Sequence, residues 1–422
     1  MKQSALAATA VALALLFILS SLSVPQELRQ SGIGDAIDTS DTSAATMPLV
    51  NKSVLYGYLA GLVGIGPRVT GTPGCRAAAE YIYQEFERLG LQVSYHEWTA
   101  WGNLWHPRRF DSRNVVATLP GSNDATIIFN AHYDTVKGTV GADDDASGVA
   151  AVLAAAHALH DRQFNHTVTF IALSGEEEGL LGSHAYASDA YAANASIVVE
   201  FNADMIGHAN TSEGGRSFRM YGTEDTAWVR GLVEDVNDAL GIDFELVNGS
   251  IGREGQGGSD YASFAWYGYE AVAFFEKEWN PYMHEPEDDL DNVNLSYLYN
   301  TTSLITGTIA ELADTPLRPQ VTLETPRRDS VYLAGAAIAP SLGQRSILIG
   351  DCTVQARTWY GEVEQVDFYL GDTLVHSDDA APFTWDVDRI ILGERTLRVV
   401  ATDAAGRTSE DYLSVFFLHP LP

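Results

Sequence analysis

The sequence predicts an α/β domain on a mostly parallel mixed sheet flanked by helices, followed by a small all-β sandwich. Three observations carry that expectation. Between about Met47 and Ala313, short apolar runs alternate with longer helix-like stretches, the pattern of strands joined by crossover helices. At Asp314-Thr315-Pro316-Leu317-Arg318-Pro319 the composition turns into a stiff linker. Beyond it the apolar period becomes two: Val366, Phe368 and Leu370 share a face, as do Leu397, Val399 and Ala401.

Taken in order, the chain begins with Met1-Lys2 and an apolar stretch from Ala5 to Val24, about 20 residues and long enough to span a bilayer. Residues 1–24 are therefore either a cleaved signal peptide or an uncleaved membrane anchor. Both outcomes place the rest of the protein outside the cell, secreted or held on the outer face of the membrane. Residues 25–46 form a Ser/Thr/Asp/Gly-rich linker. The α/β domain occupies 47–314. In it Arg76–Leu89 reads as an amphipathic helix with Gly90 at its end. Val115–Leu119, Thr126–Ala131, Thr167–Leu173, Ile197–Phe201, Phe218–Tyr221 and Ala271–Phe275 read as strands. Helices are expected at Ser147–Leu159, from near Glu178, at Ala227–Leu240 and at Leu295–Leu312. The all-β part occupies 320–422, with turns at Gly371-Asp372 and Ala405-Gly406. It carries no metal-like or nucleophile-like cluster, so packing, or binding to a surface or partner, is its expected role.

Composition narrows the function. The 422 residues include 56 acidic and 25 basic side chains, a net charge of −31, with 46% apolar and 19% charged residues. This is a globular chain of two to three domains at about 150 residues each. Its charge repels phosphate backbones and anionic lipid, which excludes nucleic acid as a partner. Two cysteines, Cys75 and Cys352, form no disulfide framework. Sequons at Asn51, Asn165, Asn194, Asn210, Asn248, Asn294 and Asn300 are compatible with export.

Five short segments each put a metal-ligand residue type at a strand end or in the loop behind it. They are Asn130-Ala131-His132-Tyr133-Asp134, the acidic loop 141–148 (GADDDASG), the loop 174–179 (SGEEEG), Asn202-Ala203-Asp204-Met205, and Pro281-Tyr282-Met283-His284-Glu285-Pro286. Singly, each has an ordinary structural explanation. His132 could be a satisfied core histidine, Asp143-Asp144-Asp145 a capped solvated loop, and Glu176-Glu177-Glu178 a charged helix start. Together, one donor per segment gives His132, Asp144, Glu177, Asp204 and His284. Two imidazoles and three carboxylates without thiolates suit a borderline cation such as zinc. One carboxylate shared between two ions, with positions left open for water, is a two-metal hydrolytic design. Asp134, two residues beyond His132, is placed to accept from the far imidazole nitrogen.

That ordered set resembles the M28 family of zinc peptidases, which contains bacterial leucyl aminopeptidases and glutamate carboxypeptidases. The early stretch Gly66-Pro67-Arg68-Val69-Thr70-Gly71-Thr72-Pro73-Gly74 is similar to the family's N-terminal signature, so the resemblance covers about Leu55 to Ala313. It implies a zinc-exopeptidase-like fold with an immunoglobulin-like sandwich behind it, and two Zn2+ per chain. His132 and Asp204 would hold one ion, Glu177 and His284 the other, and Asp144 would bridge them with a cis bond to Asp145. Glu176 would be the general base, passing a proton from water to the leaving amine, and Asp134 would orient His132. Ser259-Asp260-Tyr261 departs from the family's common Ser-Asp-His at its last residue, which bears on substrate choice. Tyr261, and Arg253 in the glycine-rich loop before it, are candidate substrate contacts, the arginine as a clamp for a carboxylate.

The expectation is an exported di-zinc exopeptidase acting on peptides, foremost an aminopeptidase. A carboxypeptidase-like enzyme, a single-zinc glutaminyl-cyclase-like enzyme and a catalytically inactive binding protein are the alternatives, and the intact donor set weighs against the last two.

Overall fold

The computed structural model describes residues 50–419, apart from 103–106, 223–225, 251–257, 316, 318, 328–329, 342–344, 359–362 and 405. The expected signal or anchor at 1–24, the linker at 25–46 and the candidate Arg253 lie outside the described residues. Among the described residues, no helix is long and apolar enough to cross a membrane.

Eight strands form the first sheet: β1 (Gln92–Trp101), β2 (Arg109–Leu119), β3 (Thr126–His132), β4 (Thr167–Leu173), β5 (Ile197–Ala203), β6 (Ser217–Gly222), β7 (Glu245–Ser250) and β8 (Ala271–Glu276). Their order is β1-β2-β4-β3-β5-β8-β6-β7. The four inner neighbours β4, β3, β5 and β8 run parallel, so their carboxyl ends share one side of the sheet. β1 pairs antiparallel with β2, β2 with β4, and β6 with β8, while β7 runs parallel to β6, so the sheet is mixed. The inner strands are buried nearly throughout, which is why they read as continuous apolar runs.

The flanking helices are α1 (Lys52–Ile65), α2 (Pro73–Arg88), α3 (Ala146–Leu159), α4 (Leu181–Ala192), α5 (Ala227–Leu240), α6 (Tyr261–Trp266) and α7 (Leu295–Asp314). Nearly every residue of α3 is buried, and its alanines let it pack against α1, β3 and α7. One helix start differs from the expectation, and two strands, β1 and β7, were not expected. The helix expected from near Glu178 begins at Leu181, because residues 176–180 close a turn in which Gly179 and Leu180 both donate to the Glu176 carbonyl. Leu180 and the flanking Gly175 and Gly179 have positive φ, which a helix cannot contain. The side chains of β1 are only partly covered, so it shows neither a clean alternation nor an apolar run.

The C-terminal part holds β9 (Val321–Thr325), β10 (Ser330–Leu333), β11 (Ala336–Pro340), β12 (Ser346–Ile349), β13 (Thr353–Thr358), β14 (Val363–Leu370), β15 (Thr373–Asp378), β16 (Phe383–Asp386), β17 (Ile391–Asp403) and β18 (Thr408–His419). They form a seven-stranded and a three-stranded sheet. Val354, Ala356 and Trp385 of the smaller sheet share one core with Phe368, Val399 and Phe417 of the larger. The two apolar triplets meet across strands, Val366 opposite Ala401, Phe368 opposite Val399 and Leu370 opposite Leu397. Arg357 on β13 lies 4.6 Å from the Tyr191 ring centroid and donates to the Tyr191 carbonyl at 3.2 Å, joining this part to the end of α4.

Candidate metal centre

All five donors sit at or just beyond the carboxyl ends of the parallel inner strands: His132 ends β3, Asp204 follows β5, Asp144 and Glu177 lie in the loops after β3 and β4, and His284 follows β8. The sheet brings them together. His132 Nε2 lies 3.3 Å from Asp144 Oδ1 and 3.8 Å from Asp204 Oδ1. His284 Nε2 lies 3.1 Å from Asp144 Oδ2 and 3.2 Å from Glu177 Oε2. Asp144 thus turns one oxygen to each half. Donors held at about 2.0–2.1 Å by a tetrahedral ion are roughly 3.3 Å apart from each other. The separations of 3.1, 3.2 and 3.3 Å match that edge and the His132–Asp204 separation of 3.8 Å is longer, while the buried Glu177 Oε1 has no hydrogen-bond partner. The residues present therefore fit two divalent cations of the zinc type.

The acidic triplet divides its labour. Asp145 caps α3 through the Gly148 N–H at 2.9 Å and also accepts from the His132 and Met205 N–H groups. Asp143 accepts from the Gly207 N–H at 2.9 Å and from Asn280 Nδ2 at 2.7 Å. Only Asp144, between them, is left to face both histidines, and its bond to Asp145 is cis. The loop makes a close turn at Gly141, where φ is +55° and a Cβ would lie 2.2 Å from the Asp144 carbonyl oxygen.

Residues outside the five segments hold this loop. Asp288 accepts from the Asp143 and Asp144 N–H groups at 2.8 and 3.1 Å. Fully buried Arg68 donates to the carbonyls of Tyr133, Val140 and Gly141, and burial lowers its guanidinium to about 10. Asn280 ties Asp143 to the His284 loop by also accepting from the Tyr282 N–H. Arg68 lies in the early stretch 66–74, but Asp288 and Asn280 were missed. Asp288 sits in the acidic run Glu287-Asp288-Asp289, which in sequence is indistinguishable from a solvated loop.

Asp134 does more than expected. His132 Nδ1 is nearer the Asp134 backbone carbonyl, at 3.2 Å, than its carboxylate, at 3.7 Å. The carboxylate instead accepts from Thr70 Oγ1 at 2.7 Å and from the Glu176 N–H at 3.3 Å, linking the His132 and Glu176 loops. Tyr261 opens α6, buried against Phe275 at a ring separation of 6.2 Å.

The electrostatics follow from crowding acids in a dry site. Burial pushes the Glu176 carboxyl well above its ordinary value, the charges of Asp204 and Asp260 add to this, and His132 opposes it. Burial likewise raises Asp260 to about 7. Burial disfavours charge on His132, yet Asp134, Asp144 and Asp204 outweigh it and raise its pKa. Asp144 and Glu177 push His284 up to about 10. In the metal-free chain the charged form of both imidazoles is thus favoured where an ion would sit.

A site that gathers acids and imidazoles at the strand ends of an α/β sheet defines a metallohydrolase. Residues 114–309 match the model of peptidase family M28, so this part of the chain is similar to the metallopeptidases of that family. Leucine aminopeptidase 1 of Ajellomyces capsulatus is 24% identical over 63% of this chain and 72% of its own length. Among solved structures, a zinc aminopeptidase from Bacillus subtilis covers 64% of this chain and 96% of its own, with 17% identity and a TM-score of 0.55. Porphyromonas gingivalis glutaminyl cyclase covers 63% and 99%, with 18% identity and a TM-score of 0.55. At these identities the two structures speak for the fold.

Proposed function

We propose that this metallopeptidase is an exported di-zinc exopeptidase that removes N-terminal residues from peptides. The observation that carries the reading is the shared carboxylate of Asp144, one oxygen 3.3 Å from His132 and the other 3.1 Å from His284. His132 and Asp204 would hold one zinc and Glu177 and His284 the other, with Asp144 between. When bound, zinc polarises the scissile carbonyl and lowers the pKa of water toward ~7.

The chain's own residues handle the proton and the geometry. Glu176, within reach of His132 but outside both donor sets that share Asp144, takes the proton of the attacking water and gives it to the leaving amine. Asp134 fixes the Glu176 N–H, and its carbonyl fixes the His132 ring. The aminopeptidase reading is supported by the leucine aminopeptidase relatives, and export by the apolar segment Ala5–Val24, which either anchors the protein or is removed. The β-rich tail then binds a surface or partner while the peptidase domain works.

The glutaminyl-cyclase likeness supports a second reading, in which one ion would suffice. Elemental analysis of the purified chain, with aminoacyl-anilides, C-terminally free peptides and peptides beginning with glutamine, separates the two. Two zinc ions and chelator-sensitive release of N-terminal residues are expected; one zinc with cyclisation of N-terminal glutamine would sink the proposal. Glu176→Gln should keep both ions and lose roughly a hundredfold or more in kcat.

A further inference from the structure

The two glutamates on which the chemistry depends lie in a short loop between β4 and α4, and the support for that loop comes from another strand. Asn114 on β2 is fully buried. Its Oδ1 accepts from the Ser174 N–H at 3.1 Å and from Trp98 Nε1 at 3.2 Å. Its Nδ2 donates to the Gly182 carbonyl at 2.9 Å and faces His96 Nδ1 at 3.1 Å. Ser174 and Gly182 bracket the segment that carries Glu176 and Glu177. One amide thus closes both ends of the loop, using its acceptor for one and its donor for the other.

The closure is tight. A Cβ on Gly182 would lie 2.1 Å from the Ser174 carbonyl oxygen and 2.4 Å from Asn114 Oδ1. The Trp98 ring that Asn114 holds lies under the first residue of the turn, where a Cβ on Gly175 would be 2.8 Å from it. Inside this clamp, Glu176 presents its N–H to Asp134, and Glu177 reaches His284 at 3.2 Å.

We infer that Asn114 is a positioning residue for catalysis: by clamping Ser174 and Gly182 it sets where Glu176 and Glu177 stand relative to His132 and His284. This rests on the reading of Glu177 as a ligand and Glu176 as the proton carrier. An ordinary buried asparagine would serve stability alone. Here three of its four contacts go to the loop ends or to the ring beneath them. Asn114→Asp keeps the shape and the acceptor but sets a carboxylate oxygen against the Gly182 carbonyl. Trp98→Phe removes one donor to Asn114 together with the far edge of the ring that lies under Gly175, and leaves the Asn114 bonds to Ser174 and Gly182 in place.

The test uses the full chain and reads zinc affinity by chelator competition without substrate, alongside kcat, KM and Tm. In Asn114→Asp, one of the two ions should bind about 10- to 100-fold more weakly, the range for losing an outer partner of a ligand. Its kcat should fall by a similar factor while KM moves less than about threefold. Trp98→Phe should shift both readouts the same way but less, and it decides alone if the aspartate variant does not fold. Loss of Tm in either variant with both zinc affinities and kcat kept within about twofold would overturn the inference. If the unaltered chain itself fails to bind two zinc ions or to cleave peptides, the reading of the site fails first, and Asn114's role goes with it.

Discussion

The two halves of the centre are built differently. His132 and Asp204 stand at the ends of adjacent parallel strands, with side chains 1% and 9% exposed. Two residues back on each strand, Asn130 and Asn202 are paired in register and joined through their side-chain amides at 3.1 Å. Glu177 and His284 come from loops, His284 with a positive φ and a side chain 43% exposed. The inner half is fixed by the sheet. The outer half is fixed by loop hydrogen bonds through Asn280, Asp134 and Asn114. Sheet register does not loosen without breaking strands, whereas loop contacts open locally. The outer half should therefore gain and lose its ion more readily.

The most severe way to break this contrast is to remove what the halves share. Asp144→Ala takes an oxygen from each, so both should fail together: turnover at background and zinc affinity down by at least ~100-fold, beyond the usual cost of losing an outer partner. A variant that still binds one zinc tightly would show that the inner half needs no bridge. A milder change separates the halves. His284→Ala should leave one tightly held ion, and the unaltered chain under chelator should lose its first ion at least about tenfold faster than its second. Simultaneous loss of both ions would erase the distinction.

The same contrast explains what could be read from the sequence. The inner donors follow apolar runs that read as buried strands, so Thr126–Ala131 and Ile197–Phe201 placed His132 and Asp204 at strand ends, although neither residue was marked as a ligand by itself. Glu177 and His284 were legible as one donor per segment in suggestive loops, but their assignment to one ion with Asp144 as the bridge needed the resemblance to a family. The positioning groups were largely illegible. Asp288 looks like any acid of an acidic loop, and Asn114 is a polar residue just ahead of the run Val115–Leu119 that reads as strand. Their significance lies in which backbone groups they meet, and those are 60 and about 145 residues away in the chain. Sequence spacing encodes periodicity within an element and says nothing about such pairings. Asp134 shows the limit at short range: two residues apart, it shares a face with His132, yet its carboxylate turns to Thr70 and Glu176.

The smallest expected effect concerns protons. In the metal-free chain Asp144 and Glu177 raise His284 to about 10, so its protonated form is favoured in the folded state. A raised pKa stabilises the fold fully below the imidazole's ordinary value near 6.5, and that stabilisation fades as pH rises through about 10. Asp144, held below the usual carboxylate range chiefly by the two histidines against the cost of burial, keeps its charge throughout. The Tm of the metal-free protein should therefore drift down by a few degrees, order of magnitude, between pH 7 and 10. Zinc requires the neutral imidazole, so the loaded protein should show no such drift from His284, and zinc affinity should climb over the same interval. Because His284 is partly exposed, water screens its pairs and keeps the effect modest. His284→Ala should flatten the metal-free drift if the outer half is its source; a drift that survives the substitution would assign it to the buried His132 instead.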